Sequence, residues 1–455
     1  MIRALVLAAG KGTRMKSALP KVLHPICGEP MLAYVLRALR DAGIDDVTVV
    51  ASSELRAHLD GMGGQPLRTV IQEPQLGTGH AVQVALAELA PGEGPLLICS
   101  GDMPLVTGDL LRRALEVLAS HDGGAGRAAC ALVTARMPLP SGFGRIVRDG
   151  DGRVRAIVEA RDATQEQLAI DEMNAAIYAF DEPLLRAMLP RLSNANAQRE
   201  YYLTDAVALA VAGGHAVLPV VCDDYRITLG INDRVELAAA RRIINAHLCE
   251  HWMREGVTIE DPETTYLESS VMLARDVTIL HNTALRGRTR IGERATIGPD
   301  SELVDALVGP RCIVRRAVIT DSALGESVIV GPFAHLRPGT VLEDGVHIGN
   351  YVEVKKSRLG KGTKANHLTY LGDAQIGRNV NVGAGTVTCN YDGAHKHATK
   401  IGDDAFIGTN SSLVAPIEIG AGALTGAGAV VIRDVAPGER VVGNPARTLP
   451  SKSKA

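Results

Sequence analysis

The sequence predicts an α/β protein in two parts, a doubly wound, Rossmann-like N-terminal domain and a C-terminal coil of short parallel strands joined by a long helix. Three observations carry this. From about Thr265 to Val442 an aliphatic residue recurs every six positions, often followed by Gly. Residues 1–232 instead alternate strand-like and helical segments, and between the two parts lies a stretch with helical spacing and neither Pro nor Gly.

The six-residue beat fixes the second half. Ile401, Ile407, Leu413 and Ile419 fall six apart, with Gly402, Gly408 and Gly420 behind three of them. Leu324, Val330, Leu336, Leu342, Ile348 and Val354 repeat the pattern upstream. Neither a helix nor a lone strand has this period. A three-sided coil does, because each face sends one aliphatic side chain to the axis, and Gly is expected to let the chain turn each corner.

In the first half, strands are expected at Ala4–Ala8, Val47–Ala51, Leu96–Ser100, Ala129–Thr134, Ala175–Phe180 and Ala216–Val221, with helices such as Met31–Ala42 and Ala81–Leu89. Such alternation predicts a mostly parallel sheet whose ligands sit beyond the carboxyl ends of its strands. Asp233–Arg254 carries apolar residues at helical spacing (Val235, Leu237, Ile243, Ile244, Leu248, Trp252) and reads as the connecting helix. The domains expected are 1–232, a linker helix 233–255, and 256–455. The polar tail Ser451–Ala455 is expected to fray.

A chain of 455 residues exceeds one typical core. Its aromatic content of 3 % beside 48 glycines suits a Gly-rich coil plus an Ala- and Val-rich α/β domain. A net charge of −3 lacks the basic footprint that nucleic acid demands. Ala4–Ala9 is too short to span a bilayer, and Met1–Gly10 lacks the features of a signal peptide, so neither membrane nor export is expected. Seven scattered cysteines (Cys27, Cys99, Cys130, Cys222, Cys249, Cys312, Cys389) without a CxxC pair suggest neither a disulfide framework nor zinc, and point to a reducing cytoplasm with the thiols buried.

After the first strand comes Leu7-Ala8-Ala9-Gly10-Lys11-Gly12-Thr13-Arg14-Met15, then Pro20-Lys21. Small residues let backbone N–H groups approach an anion, while Arg14 and Lys21 can neutralise phosphate. The Walker pattern is absent, and Met15 stands where the third Gly of a dinucleotide fingerprint belongs. Asp102, in Gly101-Asp102-Met103-Pro104 after the strand ending at Ser100, could hold a divalent cation against a triphosphate or cap the following turn.

Leu7–Met15 with Pro20-Lys21-Val22-Leu23, Gln75-Leu76-Gly77-Thr78-Gly79-His80-Ala81 and Gly101–Pro104 together resemble the signature of the sugar-1-phosphate nucleotidylyltransferases. Gly142–Ile146, Ile157-Val158-Glu159, Met173-Asn174 and Glu200–Asp205 follow in that family's order. The resemblance implies that Leu7, Ala8, Ala9, Gly10, Lys21, Ser100, Gly101 and Asp102 line a nucleotide site, and that Gln72, Gly77 and Thr78 read a uracil. It places Gly144, Glu159, Asn174, Tyr202 and Thr204 around the sugar. Mg²⁺ would be held by Asp102 and Asn232, although Asn232 serves equally as the N-terminal cap of the connecting helix. The implied chemistry is attack of a sugar-1-phosphate on the α-phosphorus of UTP, with Arg14 and Lys21 stabilising the charge.

The coil carries polar residues where a purely structural solenoid would be solvated and plain. Arg337, Lys355, Lys356, His367, Tyr370, Asn381, Asn390 and Tyr391 crowd into a few turns, and Cys389–Lys400 breaks the beat before Ile401 restores it. A loop ejected from a solenoid either carries function or is a tolerated insertion. His367 has the chemistry of a general base near neutral pH, though surface histidines are commoner.

Asn366–Asp373 and Val387–Gly393 resemble the acetyltransferase half of the bacterial bifunctional enzymes that acetylate glucosamine 1-phosphate and uridylylate the product, and the likeness covers nearly the whole chain. It implies a left-handed parallel β-helix and a homotrimer. It assigns His367 as the base, Arg337, Lys355, Tyr370 and Asn381 to glucosamine 1-phosphate, and Ala384, Asn390, Tyr391, Thr409 and Ala427 to acetyl-CoA. Lys356 reads as a solvated neighbour. Thr409 replaces a Ser of some relatives. Arg447, in Gly443-Asn444-Pro445-Ala446-Arg447, stands as the candidate for the CoA phosphates where some members place an Arg nearby. The substrates implied are glucosamine 1-phosphate, acetyl-CoA, N-acetylglucosamine 1-phosphate and UTP. The rivals are a nucleotidylyltransferase whose coil only oligomerises or regulates, and a scaffold that has lost its chemistry.

Overall fold

The computed structural model describes residues 2–60, 67–121, 128–139 and 142–449, so the tail Ser451–Ala455 lies outside the described residues. The chain divides into two compact units, Met1–Arg242 and Ile243–Ala455.

The sheet of the first unit contains β1 (Arg3–Leu7), β2 (Asp46–Ala51), β3 (Arg68–Ile71), β4 (Pro95–Ser100), β5 (Ala128–Arg136), β6 (Arg145–Arg148), β7 (Val154–Val158), β8 (Glu172–Asp181) and β9 (Ala216–Cys222). Its order is β9-β5-β8-β4-β1-β2-β3, with β6 joined to β8 and β7 joined to β6. The sheet is mostly parallel, as expected, but β8 runs antiparallel between β4 and β5. Burial on both faces explains the continuous apolar runs of the central strands. Ala4 and Val6 face one core and Leu5 the other.

β1 is where the winding reverses, with β2 on one side and β4 on the other. The register pairs Leu7 with Ser100, and the Gly101 amide donates to the Leu7 carbonyl at 2.9 Å. The turn after β1 is thereby locked beside the turn after β4, the crevice where open α/β sheets bind ligands.

The connecting helix runs Arg234–Arg254 across the division between the units. Its N-terminal cap is Asp233, whose Oδ1 accepts from the Val235 and Glu236 amides at 2.9 Å each. Asn232 therefore does not cap it, which removes one of the two readings of that residue. Toward its C-terminal end, Cys249 packs into the coil's core with Leu248 and Trp252 beside it, and Asn245 bridges the Thr265 carbonyl and the Leu267 amide.

The coil begins one strand earlier than the sequence beat, at Thr258–Ile259, and builds three sheets of 12, 10 and 9 strands, parallel except where the last strand, Arg447–Thr448, turns back on Arg440–Val442. Ile401, Ile407, Leu413 and Ile419 are all buried on its axis, on successive faces. The glycines behind them have a different reason from the one expected. A Cβ on Gly402 would fall 2.5 Å from the Ala421 amide nitrogen, and one on Gly408 2.5 Å from the Thr425 carbonyl oxygen. The contact between turns, and not the bend, excludes a side chain there. The left-handed backbone of these corners falls two residues later, at Asp404 and Asn410, whose φ values are 58° and 54°.

Six of the seven cysteines are buried and Cys389 is half-exposed. Burial pushes the Cys99 thiol up to about 12, with the Asp102 charge adding to it, which makes it inert. Among the described residues no helix is long and apolar enough to cross a membrane.

Gly349 is the sharpest test of turn-to-turn contact, because a Cβ there would meet the Asn366 carbonyl oxygen at 2.0 Å. Gly349→Ala should destabilise the coil by roughly 2 kcal/mol or more, read as a lower urea midpoint of its transition. An unchanged midpoint would contradict this packing account.

Candidate active sites

A cleft of about 440 Å³ opens at the reversal of the sheet. Leu7, Ala8, Ala9, Gly10, Lys21, Gln72, Gly77, Thr78, Ser100 and Asp102 line it, with Lys11, Thr13, Gln75 and Glu200. Gly101 lies beneath, packed on Ala8. Gly12 is needed both for its left-handed φ of 58° and because any Cβ would meet Lys21 Cβ at 2.7 Å. That close approach brings Lys21 into the cleft.

Four charged or amide groups then meet. Lys21 Nζ pairs with Asp102 Oδ2 and lies 3.3 Å from Asn232 Oδ1, which also accepts from Arg14 Nη2 at 2.8 Å. Asp102 spends its carboxylate on Lys21 in this arrangement and not on capping the next turn. Two hard oxygens, from Asp102 and Asn232, thus converge where an ammonium now sits. Among the described residues no group of three or more His, Cys, Asp or Glu side chains could hold a metal ion. One carboxylate and one amide oxygen instead suit a hard divalent cation that keeps waters and takes its remaining ligands from phosphate.

The segment expected to read a uracil is held from two sides. Gln72 Nε2 donates to the Gly77 carbonyl at 2.9 Å, and Gly77 adopts φ 103° with the Tyr201 carbonyl oxygen 2.7 Å from where its Cβ would be. The Gly79 amide donates to the Tyr201 carbonyl, and the Leu203 amide to Thr78 Oγ1. The 200–204 segment is therefore tied to the start of the helix Thr78–Glu88.

That segment ends in a second recess of about 260 Å³, lined by Glu159, Asp162, Tyr202 and Asp205 among others. Thr204 Oγ1 donates to Glu159 Oε1 at 3.1 Å, Gly144 sits 3.5 Å from both Glu159 oxygens at its missing Cβ, and the Asn174 amide donates to the Gly144 carbonyl. The five residues expected around a sugar are thus adjacent. Asn174 Nδ2 donates to the Tyr178 hydroxyl at 2.6 Å, which fixes its amide. Burial raises the Glu159 carboxyl above its usual range, opposed by the Thr204 hydroxyl and reinforced by Asp162, Asp205 and Glu200. Asp162 has no forecast in the sequence, yet it accepts from the Tyr202 hydroxyl at 3.3 Å and the Ala197 amide at 2.9 Å.

On the coil, one corner collects the second set. The Leu368 amide donates to the Asn350 carbonyl, Gly385 to His367, Asn410 to Ala384, and Gly428 to Thr409. His367, Ala384, Thr409 and Ala427 consequently stack on successive turns. His367 Nδ1 lies 2.7 Å from Asn350 Oδ1, so with Nδ1 as donor its Nε2 keeps a free lone pair. Asn350, one turn upstream, is a partner that sequence spacing could not reveal.

Across the next face stand the cations. Arg337 Nη1 pairs with Glu353 Oε1 at 2.7 Å, and Lys355 is held below the usual lysine range chiefly by the neighbouring Lys396 ammonium, then by lost hydration and Arg337. Lys396 comes from the ejected loop and was missed in the sequence. A Cβ on Gly372 would meet the Tyr370 hydroxyl at 2.4 Å and Asn390 Nδ2 at 2.7 Å, so the two side chains share that spot. Asn390 Nδ2 also donates to Asp373 Oδ2 at 2.5 Å.

The loop expected at Cys389–Lys400 leaves the coil as an extra length of one turn. Ala374 pairs with Thr399 where one turn earlier Arg358 pairs with Gln375, so this turn is about eight residues longer than its predecessor. Asp392 clasps it, accepting from the Ala394 and His395 amides and from His397 Nε2, which together hold its carboxyl far below the usual range. Tyr391 projects from it, 59 % exposed. Two expected residues lie apart from the rest. Asn381 faces outward between Lys364 and Phe406 on the adjoining sheet, and Arg447 is exposed on a terminal strand whose guanidinium reaches the Ala446 carbonyl.

Comparison with known proteins accounts for both halves. The model of the MobA-like NTP transferase domain matches residues 4–168, and that of the bacterial transferase hexapeptide (six repeats) matches 321–356 and 398–433. The bifunctional protein GlmU of Trichlorobacter lovleyi is 47 % identical over 436 residues, covering 95 % of this chain and 94 % of that protein. The GlmU proteins of Geobacillus thermodenitrificans and Alkalilimnicola ehrlichii are 45 % and 47 % identical, over 98 % and 96 % of this chain and 96 % and 92 % of their own. With such likeness spanning the nucleotide cleft, the helix and the stacked corner alike, this chain belongs to the family of bifunctional GlmU proteins.

Proposed function

We propose that the coil acetylates glucosamine 1-phosphate with acetyl-CoA and that the N-terminal unit transfers UMP from UTP to the resulting N-acetylglucosamine 1-phosphate, yielding UDP-N-acetylglucosamine and pyrophosphate. The observation that carries this reading is the row of His367, Ala384, Thr409 and Ala427 along one corner. A coil that merely oligomerised would have no use for both an Asn-oriented histidine and a cluster of Arg337, Lys355 and Lys396.

In acetyl transfer, Arg337, Lys355 and Lys396 hold the sugar phosphate while Tyr370 faces the sugar. His367 Nε2 accepts the proton that the amine sheds as it bonds to the thioester carbonyl carbon, and the C–S bond then breaks to release the thiol. Ala384, Thr409 and Ala427 leave a strip of small side chains for the pantetheine arm, with Asn390 and Tyr391 at its side. Asn381 and Arg447 fit the same site only from another copy of the chain. The corner residues Phe333, Tyr351 and Leu368 support such an assembly, being 52 %, 56 % and 63 % exposed, with the first two rings stacked at 5.2 Å. The assembly proposed is a homotrimer; a sedimentation mass of one chain would contradict it.

In uridylyl transfer, the turn after β1 receives the triphosphate, and Lys21 moves its ammonium from Asp102 to phosphate. Asp102 and Asn232 are then free to hold Mg²⁺, which supplies neutralisation of the triphosphate charge. A sugar-phosphate oxygen attacks the α-phosphorus as the bond to the β-phosphate oxygen breaks, with Arg14 and Lys21 spreading the charge. Gly144, Glu159, Asn174, Tyr202 and Thr204 fix the sugar. The domains remain 1–232, 233–255 and 256–455 in this reading, and the enzyme works in the cytoplasm on small molecules.

His367→Ala should abolish thiol release from acetyl-CoA while leaving pyrophosphate release with N-acetylglucosamine 1-phosphate, and Asp102→Ala the reverse. Acetyl transfer persisting in His367→Ala would refute the base assignment. A second expectation concerns pH. Lys355 sheds its proton at a lower pH than an ordinary lysine because Lys396 repels it, so affinity for glucosamine 1-phosphate should fall early on the alkaline side. Lys396→Met should raise KM for that substrate about ten-fold near neutrality and move the alkaline limb to higher pH. A limb that stays in place would remove Lys396 from the phosphate site.

A further inference from the structure

Arg145 heads the fully buried side chains of the described residues in size, at 1 % exposure. Buried arginines ordinarily meet a carboxylate. This one meets carbonyls: Nη1 donates to Phe143, Nη2 lies 3.5 Å from Leu168, and Nε has no partner among the described residues. An unsatisfied donor on a buried cation is costly, so the position demands a purpose beyond packing.

The two carbonyls belong to segments that adjoin the residues of this recess. Phe143 directly precedes Gly144, whose own carbonyl accepts from Asn174 and whose α-carbon faces Glu159. Leu168 ends the short helix Gln165–Leu168, which closes the excursion that leaves β7 at Val158. Glu159 and Asp162 lie at the start of that excursion, the latter tied to Tyr202 and Ala197. One guanidinium therefore reaches from the glycine turn beside Glu159 to the far end of the segment that carries the acidic wall of the recess, Glu159 and Asp162. The acidic wall is otherwise self-repelling, since Asp162 and Glu200 push the Glu159 carboxyl upward and Asp162 does the same to Asp205.

We propose that Arg145 is the positioning residue of the sugar pocket, a buried strut that sets the gap between Gly144 and Glu159 without touching substrate. The inference rests on the reading of this recess as the N-acetylglucosamine 1-phosphate site. Its signature is selective: the strut acts on one substrate's pocket, whereas the UTP cleft is built from the turns after β1 and β4.

The test measures KM for each uridylyl-transfer substrate in the full-length protein, for Arg145→Ala, Arg145→Lys and Glu159→Gln, with acetyl transfer as a control for folding of the rest of the chain. Arg145→Ala should raise KM for N-acetylglucosamine 1-phosphate about ten-fold or more and leave KM for UTP and acetyl transfer within about two-fold. Arg145→Lys, which keeps the charge but loses the fork, should fall between, and guanidinium ion at a sub-denaturing concentration should restore part of the alanine variant's affinity. Should the alanine variant not fold, the lysine variant alone decides, by the same split between substrates. The proposal is overturned if Glu159→Gln raises the sugar KM and the Arg145 variants do not, or if both KM values rise together. If Glu159→Gln itself leaves the sugar KM unchanged, the site reading fails first, and the strut with it.

Discussion

Turn-upon-turn stacking in the coil is the constraint from which its chemistry follows. Each turn must send an aliphatic side chain to the axis and still approach its neighbour closely enough for strand hydrogen bonds, which leaves no room for a Cβ at Gly349, Gly402 or Gly408. Once the turns are locked at that spacing, every corner becomes a column of residues at a fixed pitch. His367, Ala384, Thr409 and Ala427 are one such column. In the proposed acetyl transfer a long flexible thioester lies along it, past the small side chains of Ala384, Thr409 and Ala427. The N-terminal unit solves the same problem differently, since its sheet register places Leu7 beside Ser100 and so brings the phosphate turn to Asp102.

In the proposed mechanism both sites also rely on cations restrained before substrate arrives. Lys21 is paired with Asp102, and Arg337 with Glu353, while Lys355 is crowded by Lys396. An anionic substrate relieves the repulsion in the last case and must displace an ion pair in the other two. Holding positive charge in place reduces the reorganisation needed at the moment of reaction, when charge on phosphate or oxygen increases.

The axis of the coil was legible because a period of six has only one geometric meaning, and the Rossmann-like half was legible from alternation. What failed to show was whatever depends on neighbours one or more turns away in sequence. Asn350 and Lys396 belong to other turns than His367 and Lys355, and no local pattern links them. The role of the glycines was misread for the same reason, since their constraint comes from the next turn and not from their own backbone. Asn232 was ambiguous in one dimension because it borders a helix; the position of Asp233 one residue later takes the cap and frees it. Arg145 was visible within a motif, but only burial exposes it as a charge without a counter-ion among the described residues.

The central claim is that one kind of chain carries two chemically distinct transferase activities. The most direct measurement is a coupled assay of the purified protein with glucosamine 1-phosphate, acetyl-CoA, UTP and Mg²⁺, following free thiol, pyrophosphate and UDP-N-acetylglucosamine together. The account predicts that thiol appears first and that pyrophosphate then forms in step with the nucleotide sugar. Pyrophosphate released only when N-acetylglucosamine 1-phosphate is supplied ready-made, with no thiol from acetyl-CoA, would contradict it.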